Sequence, residues 1–220
     1  MYALAAIGTG SHAEGRSTRA DGEGSHAEGT GSIAHGYSSH AEGGYTRANG
    51  SRSHAEGSNT LANGEYSHAE GTDCIARGYA SHTEGICSIT EGVGSHAEGS
   101  YSIADGHSSH AEGENCVARG SASHAEGVGT VAVADGSHVE GRYNIIDEEK
   151  QYAHIIGNGY TSNGIVRSNA MTVDWNGNGA FAGTVQAKTV IVKPYIGYGS
   201  LAQMQGISNP TVGQIFYVLT

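Results

Sequence analysis

Ser-His-Ala-Glu-Gly occupies residues 11–15 and returns every fourteen residues along most of the chain. The nine further copies begin at Ser25, Ser39, Ser53, Ser67, Ser81, Ser95, Ser109, Ser123 and Ser137. Within these copies only the alanine changes, to Thr83 in one and Val139 in another. A fixed period over ten copies is the signature of a solenoid, in which each repeat is one structural unit stacked on its neighbours.

Each fourteen-residue unit divides into two halves that share the pattern Ser/Thr-x-Ala-x-Gly, followed by two free positions. Residues 32–36 and 102–106 are examples of the second half. Five extended residues and a two-residue corner predict one strand and one turn per half, so that each unit is a coil with two strands. Period-two alternation directs the first, third and fifth places inward and the second and fourth outward. A helix is excluded because a glycine in every half costs about 1 kcal/mol relative to alanine.

The pattern therefore predicts an all-β fold, a narrow parallel β-roll solenoid with two sheets over residues 4–141. Ten coils at about 4.8 Å each give a rod roughly 50 Å long. The period falters at Ala134, which stands where a corner glycine is expected, and it ends after Gly141. We therefore place a domain boundary near residue 141.

Residues 142–220 are predicted to form a smaller β-rich C-terminal region. Residues 152–159 read as a short strand that ends in a turn, and residues 168–185 read as two strands joined through Asn-Gly, a strong hairpin signal. Alternation over residues 189–192 and 214–219 predicts further strands.

Composition limits the classes of function. The chain has 36 glycines but only 2 prolines in 220 residues, and large apolar side chains are scarce in the repeats. A formal charge of −11 argues against nucleic-acid binding, which depends on Lys and Arg. The sequence shows neither a long apolar run nor a signal-peptide pattern, so membrane insertion is not expected. The cysteines Cys74, Cys87 and Cys116 lack a metal or disulfide spacing, and Cys74 and Cys116 replace the Ser or Thr of other coils as small buried side chains.

One outward face repeats a histidine and a glutamate in every coil, and we call these side chains the His–Glu column. A solvated face would vary between repeats, so we expect the column to be a ladder between chains. Carboxylates stacked about 4.8 Å apart repel by roughly 1 kcal/mol per neighbouring pair in water, which a partner must offset. The column comprises His12, Glu14, His26, Glu28, His40, Glu42, His54, Glu56, His68, Glu70, His82, Glu84, His96, Glu98, His110, Glu112, His124, Glu126, His138 and Glu140.

The opposite face carries mostly aliphatic side chains at its second place, such as Ile33, Leu61 and Ile103. A single chain would leave this stripe exposed and would bury little apolar surface, so both faces predict an obligate oligomer. A closed homotrimer would bury both the His–Glu column and the aliphatic stripe. In that trimer we expect raised histidine pKa values, with stability that declines as the pH rises through the folded-state pKa.

The His–Glu pairs allow two interpretations, metal ligands or hydrogen-bonded packing at an interface. We favour packing, because metal sites are usually made once and this pair is made ten times, and we assign no metal, cofactor or catalytic residue. A catalytic role is disfavoured because neither a nucleophile nor a phosphate-binding loop accompanies the His–Glu pairs. A pair that is repeated in every coil also offers no single pocket for a substrate. An ice-binding face is disfavoured because the threonines are predicted to point inward.

Residues 6–8, Ala-Ile-Gly, and the Ser/Thr-x-Ala-x-Gly units after them resemble the head repeats of YadA-type trimeric adhesins over about residues 4–141. The resemblance implies a left-handed parallel β-roll that trimerises. In the adhesins, aliphatic side chains stand where this chain has histidine and glutamate. Repeats with Ser-His-Ala-Glu-Gly itself look more like those of tail-associated proteins of phages and prophages of Gram-positive bacteria, and residues 168–185 are similar to a segment near the C-terminal ends of tail fibres.

This resemblance implies a homotrimeric, non-enzymatic part of a phage or prophage tail fibre or receptor-binding appendage, located in the virion. Its partner would be a host cell-surface receptor, with glycans as one candidate class. The corner tyrosines Tyr37, Tyr45, Tyr66, Tyr79 and Tyr101 could contact glycans, although single aromatic residues at exposed corners are also common without a ligand. The alternative is the head of a bacterial surface adhesin, located at the cell surface. A glycan-cleaving spike is a third class, which would need a cleft with paired acids in the C-terminal region. The candidates in that region are Asp147, Glu148, Glu149 and Asp174.

Overall fold

The computed structural model describes residues 4–184, and every regular element in that range is a β-strand. The strands are numbered β1 to β25 in chain order. The strands expected at residues 189–192 and 214–219 lie outside the described residues. The all-β parallel solenoid that the sequence predicts is confirmed.

The first sheet consists of ten two-residue strands, one from each coil. They are β1 (Ala5–Ala6), β3 (Arg19–Ala20), β5 (Ile33–Ala34), β7 (Arg47–Ala48), β9 (Leu61–Ala62), β11 (Ile75–Ala76), β13 (Ile89–Thr90), β15 (Ile103–Ala104), β17 (Val117–Ala118) and β19 (Val131–Ala132). We call it the aliphatic sheet.

The second sheet carries the His–Glu column, and we call it the His–Glu sheet. Its ten coil strands are β2 (His12–Arg16), β4 (His26–Thr30), β6 (His40–Gly44), β8 (His54–Ser58), β10 (His68–Ala69), β12 (His82–Thr83), β14 (His96–Ser100), β16 (His110–Glu114), β18 (His124–Val128) and β20 (His138–Arg142). All pairs are parallel and in register, so that His26 lies beside His40 and Glu28 beside Glu42. Equivalent residues of successive coils therefore form columns.

The interior of the roll is filled by the first and third places of each half, as predicted. The third-place alanines from Ala20 to Ala76 form one buried cluster, and a second cluster begins at Ala97. Each buried first-place serine of the His–Glu half donates its hydroxyl to a carbonyl three residues earlier, as Ser25 Oγ does to Gly22 O at 2.7 Å. Serine is needed there because it is small and its hydroxyl is satisfied inside the coil.

The coil between the two clusters is exceptional because both of its interior alanine places hold threonine. The hydroxyls of Thr83 and Thr90 lie 2.7 Å apart, and Thr90 Oγ1 also donates to Ser81 Oγ at 2.9 Å. Both threonines are fully buried. Threonine in place of alanine in one half is therefore matched by threonine in the other half, and the two hydroxyls contact each other.

The two halves of a coil differ, although the sequence pattern predicts equivalent five-residue strands. Most strands of the His–Glu sheet start at the histidine and run one residue past the glycine, whereas strands of the aliphatic sheet have two residues. The fifth-place glycine of the aliphatic half, such as Gly64, is buried, but that of the His–Glu half, such as Gly57, lies at the surface with φ +102°. The prediction that every fifth place points inward is thus correct for one half only.

The seventh place of each half turns the corner in the left-handed region. Tyr45 and Asn59 have φ of 59° and 57°, which is uncommon for residues other than glycine. A backbone hydrogen bond between coils holds each corner, as Asn59 N donates to Gly44 O at 2.7 Å. Stacking, rather than local preference, fixes these corners.

The fourteen-residue period stops at Gly141, but the His–Glu sheet continues. Strand β21 (Tyr152–Asn158) pairs in parallel with β20, with His138 beside His154 and Gly141 beside Gly157. Strands β24 (Asn169–Asp174) and β25 (Gly179–Phe181) follow in antiparallel order, which confirms the predicted hairpin. A separate two-stranded sheet joins β22 (Tyr160–Thr161) and β23 (Ile165–Val166).

The aliphatic sheet instead ends with β19, and a side chain completes it. Buried Asn144 accepts from Val131 N at 2.8 Å and donates to Val131 O at 3.1 Å, in place of a further strand. The aliphatic sheet has no strand after β19 within the described residues, so Ala134 stands at the end of the stack of corner glycines. Its side chain is buried there.

Candidate functional site

The His–Glu column is the most regular chemical feature of the surface. From His26 to His154, neighbouring imidazole rings are stacked with centroids 4.6–5.0 Å apart and interplanar angles of 25° or less. His12 meets His26 edge-on instead, at 79°. In-register parallel pairing imposes this spacing because it equals the distance between neighbouring strands.

His154 is an eleventh member that the sequence analysis missed. It follows His138 by sixteen residues rather than fourteen, and Ile156 stands at the place of the glutamate. The shared signal is the distance from histidine to glycine, which is the same in residues 138–141 and 154–157. A search for that spacing alone would have found it.

The structure brings the predicted histidines and glutamates together within one chain. In the early coils the contact is within a strand, as between His54 Nε2 and Glu56 Oε2 at 3.5 Å. In later coils the nearer carboxylate belongs to the preceding coil, as between His96 Nε2 and Glu84 Oε1 at 3.4 Å. Among the histidines of the column, two contacts reach hydrogen-bond geometry in the described chain, His110 to Glu98 and His154 to Glu140, both at 3.2 Å.

Most of the Nε2 atoms are covered yet lack a hydrogen-bond partner within the described residues. The rings themselves remain about one-third exposed, so only the nitrogen-bearing edge is withdrawn from solvent. Buried polar atoms without partners are rare in folded proteins, and such an atom calls for an unseen water, ion or neighbouring group. The atoms concerned are Nε2 of His26, His40, His54, His68, His82, His96, His124 and His138.

Burial lowers the pKa of His40, His68, His96 and His124 below the ordinary value of 6.5, and the neighbouring imidazoles lower it further. This direction in the single chain is opposite to the rise expected for a trimer. Because the folded-state pKa is below the unfolded-state value, the stability that these groups contribute is present above about pH 6.5 and is lost as the pH falls through the folded-state pKa. A melting temperature of the single chain that rises on acidification from pH 7 would contradict this sign.

Neighbouring carboxylates in the column also influence each other. A side-chain hydrogen bond between Glu70 and Glu84 raises the pKa of Glu70 and lowers the pKa of Glu84. Two neighbouring carboxylates differ in pKa because the charge of the first disfavours ionisation of the second. The repulsion expected from the sequence is thus present in the geometry.

The corner tyrosines are not all isolated. The Arg52 guanidinium lies 5.3 Å from the ring centroids of both Tyr37 and Tyr66, and Arg52 Nη1 donates to Tyr66 Oη at 2.9 Å. Tyr79 meets Tyr66 edge-on at 5.4 Å. We call these four residues the tyrosine–arginine cluster. Its tyrosines are 44–50% exposed, so together with Arg52 they form an aromatic surface at one corner of four successive coils.

The acids considered for glycan cleavage have other contacts. Asp174 accepts from the amides of Asn176 and Asn178 in the hairpin turn, and Asp147 accepts from Tyr152 N at 2.8 Å. Glu148 faces Arg119 at 3.7 Å, and Glu149 accepts from Gln151. Cys74 and Cys116 are buried, as predicted.

The YadA head domain repeat matches the chain twice, over residues 22–39 and 27–53. These residues span three successive coils of the parallel roll described above. The roll is built of YadA-like head repeats. Heads of the YadA type are homotrimeric adhesins, and the match therefore supports a surface-exposed, oligomeric role for this chain.

No curated protein matches the chain. Within residues 4–184, no helix is long and apolar enough to cross a membrane.

Proposed function

We propose that this YadA-like chain is a homotrimeric structural and host-attachment component of a phage or prophage tail fibre or receptor-binding appendage, and that it performs no catalysis. The observation that carries the proposal is a rod of ten in-register coils with an unvaried His–Glu column on one sheet and an aliphatic stripe on the other. Such a rod projects a tip and presents a repeated surface, and its columns offer no single reaction centre.

The trimer follows from the surfaces of the rod. The interior holds mainly Ala, Ser, Thr and Gly, so one chain buries little apolar area for its length. Side chains of the aliphatic stripe such as Ile33 and Leu61 are only partly buried by their own chain. The covered Nε2 atoms of the His–Glu column also need partners that the described chain does not supply. Packing against two further copies would cover the aliphatic stripe and would also supply partners for the Nε2 atoms.

Light scattering on the purified chain tests the trimer. We expect a mass close to three times the 22.5 kDa of one chain. A mass of one chain at micromolar concentration would contradict the proposal, because the rod would then keep both faces exposed.

The receptor contact is proposed to include the tyrosine–arginine cluster. Tyrosine rings offer flat apolar faces with a polar tip, and a guanidinium donates several hydrogen bonds in one plane. These groups suit the apolar faces and hydroxyl groups of a glycan. We therefore expect binding of the trimer on a glycan array to be lost in Arg52→Ala and Tyr66→Ala.

Tyr45 and Tyr101 provide the matched controls for that experiment. They are exposed to 66% and 55% at the opposite corner and lie outside the cluster. Tyr45→Ala and Tyr101→Ala should leave glycan binding unchanged. Equal losses in both pairs of variants would contradict the assignment of the contact to the cluster.

The second candidate is the head of a bacterial trimeric surface adhesin, which the YadA head repeat match favours. Antibodies raised against the roll distinguish the two. Labelling of tails on induced phage particles supports the tail-fibre proposal, whereas labelling of the intact cell envelope without particles supports the adhesin.

A further inference from the structure

Five overlapping groups in the His–Glu column place two histidine nitrogens and one carboxylate oxygen within 4.8 Å of one another. Each group joins the histidine and glutamate of one coil to the histidine of the next. The groups are His54–Glu56–His68, His68–Glu70–His82, His82–Glu84–His96, His110–Glu112–His124 and His124–Glu126–His138.

We propose that these groups bind divalent transition-metal ions of the Zn²⁺ class along one chain of the rod. Imidazole nitrogen with one carboxylate oxygen is a ligand set that suits Zn²⁺, Ni²⁺ and Cu²⁺. The inference goes beyond attachment and rod assembly. The sequence alone favoured simple packing. The new fact is that the Nε2 atoms of these groups are covered near the carboxylates and, except for that of His110, lack a hydrogen-bond partner within the described residues.

The histidine–glutamate distance already fits a metal ion. Two ligands of a tetrahedral ion, each about 2.1 Å from it, lie roughly 3.4 Å apart. His54 Nε2 and Glu56 Oε2 are 3.5 Å apart, and His96 Nε2 and Glu84 Oε1 are 3.4 Å apart. In His110–Glu112–His124 and His124–Glu126–His138 both imidazole nitrogens lie 3.6–3.9 Å from the carboxylate. In the other groups the second imidazole is farther away and has to tilt by about 1 Å to complete three ligands. A water or a neighbouring chain supplies the fourth.

The number of ions follows from shared histidines. His68 belongs to two groups, and so do His82 and His124, so not all five groups can be filled at once. Three groups share no residue: His54–Glu56–His68, His82–Glu84–His96 and His110–Glu112–His124. We therefore expect about three ions per chain at saturation.

Bound ions would also offset the repulsion between the stacked carboxylates of the column. A dication between two coils attracts the carboxylate and uses the free lone pairs of the neutral imidazoles. Neighbouring coils would be linked through the metal, so the ions would raise the melting temperature of the rod.

The experiment is equilibrium dialysis of the full chain against ZnCl₂ in phosphate-free buffer, followed by elemental analysis, with CoCl₂ as a spectroscopic probe. We expect about three Zn²⁺ per chain and the intense visible absorption of four-coordinate Co²⁺. Fewer than one ion per chain at saturation would overturn the proposal, and so would a Co²⁺ spectrum with only the weak bands of the hydrated ion.

Matched variants locate the ions. The triple variant Glu56→Gln, Glu84→Gln, Glu112→Gln should lower the number of bound Zn²⁺ ions from about three to about two per chain, because the His68–Glu70–His82 and His124–Glu126–His138 groups keep all their ligands. Glu70→Gln and Glu126→Gln added to it should lower the Zn²⁺ affinity by about tenfold or more. Glu23→Gln, Glu65→Gln, Glu148→Gln removes the same charge outside the column and should bind as the parent does. His35→Gln with His107→Gln removes two histidines outside the column and should also bind normally. Equal loss in the control variants would overturn the assignment, and the Co²⁺ spectrum of the parent decides the case if the triple variant does not fold.

Discussion

The two halves of each coil carry the same seven-residue pattern, yet they build different sheets. In the His–Glu half most strands have five residues and pass through a surface glycine with φ of 92° to 112°. In the aliphatic half the strand has two residues and the equivalent glycine is buried. The sheets also end differently, since the His–Glu sheet continues through β21 and the aliphatic sheet stops at β19.

Both halves require glycine at the fifth place for the same reason, although their backbone conformations differ. A Cβ on Gly57 would lie 2.2 Å from Gly71 O, and a Cβ on Gly64 would lie 2.0 Å from Gly78 O. In both halves the carbonyl of the next coil leaves no room for a side chain. In the His–Glu half the glycine also has a positive φ, so there are two independent reasons for glycine at this position.

The largest expected effect comes from filling these close approaches. Gly57→Ala and Gly64→Ala should each lower the free energy of unfolding by about 4 kcal/mol or more, because a side chain would collide with the backbone of the next coil. Gly57→Ala should be the more damaging by about 1 kcal/mol, since it also strains φ. Urea unfolding followed by circular dichroism measures both.

Gly44→Ala is the control for these variants. Nothing lies within 4 Å of a Cβ at that position. A stability close to that of the parent is expected, and a loss as large as that of Gly57→Ala would contradict the close-approach explanation.

The next effect concerns the different ends of the two sheets. Asn144→Ala should cost about 2 to 3 kcal/mol, because it leaves the backbone N–H and C=O of Val131 without partners. Hydrogen exchange at the Val131 amide should accelerate, whereas amides of β20 should remain protected. Asn49→Ala, which removes an exposed side-chain hydrogen bond to Asn63, should have little effect on either.

The Thr83–Thr90 pair tests whether the halves are equivalent inside the roll. Each single change to alanine should cost about 1 kcal/mol, because the partner hydroxyl loses a buried hydrogen bond. The double variant restores the alanine pair of most coils, so it should cost less than the sum of the singles. A double-mutant cycle by thermal unfolding measures the coupling, and strict additivity would show that the pair is not a unit.

The smallest effect lies in the hairpin that closes the His–Glu sheet. Hydrogen bonds from Asn178 and Asn176 lower the pKa of Asp174 below the ordinary value of 3.8. Because the folded-state pKa is depressed, the stability that Asp174 adds is present above about pH 3.8 and is lost as the pH falls through the lower folded-state pKa. Trp175 fluorescence in an acid titration should report this loss, and Asp174→Asn should remove the transition.

Most of the roll was predictable because its causes are local and repeated. The period, the burial of serine and alanine, the burial of Cys74 and Cys116 and the Asn-Gly hairpin are confirmed. The trimer, the tail-fibre role and the contact between chains along the His–Glu column remain predictions.

What the sequence missed depends on neighbours that are distant along the chain. His154 joins the column through a sixteen-residue spacing, and Asn144 completes the aliphatic sheet by contacts with Val131. The lowered pKa of histidines such as His68 in the single chain arises from burial by the coils beside them, whereas the raised values predicted for the trimer remain a prediction.

By itself, the sequence of this protein determined a parallel roll of fourteen-residue coils, because a seven-residue pattern of small residues allows only a narrow coil with His and Glu outside. Only the tertiary structure decided that the two halves differ and that the imidazoles stack with their Nε2 atoms covered. It also decided that the His–Glu sheet continues after the fourteen-residue period has ended. The physical reason is that these features arise between coils, where equivalent residues meet as columns, and a single copy of the motif contains no such contact.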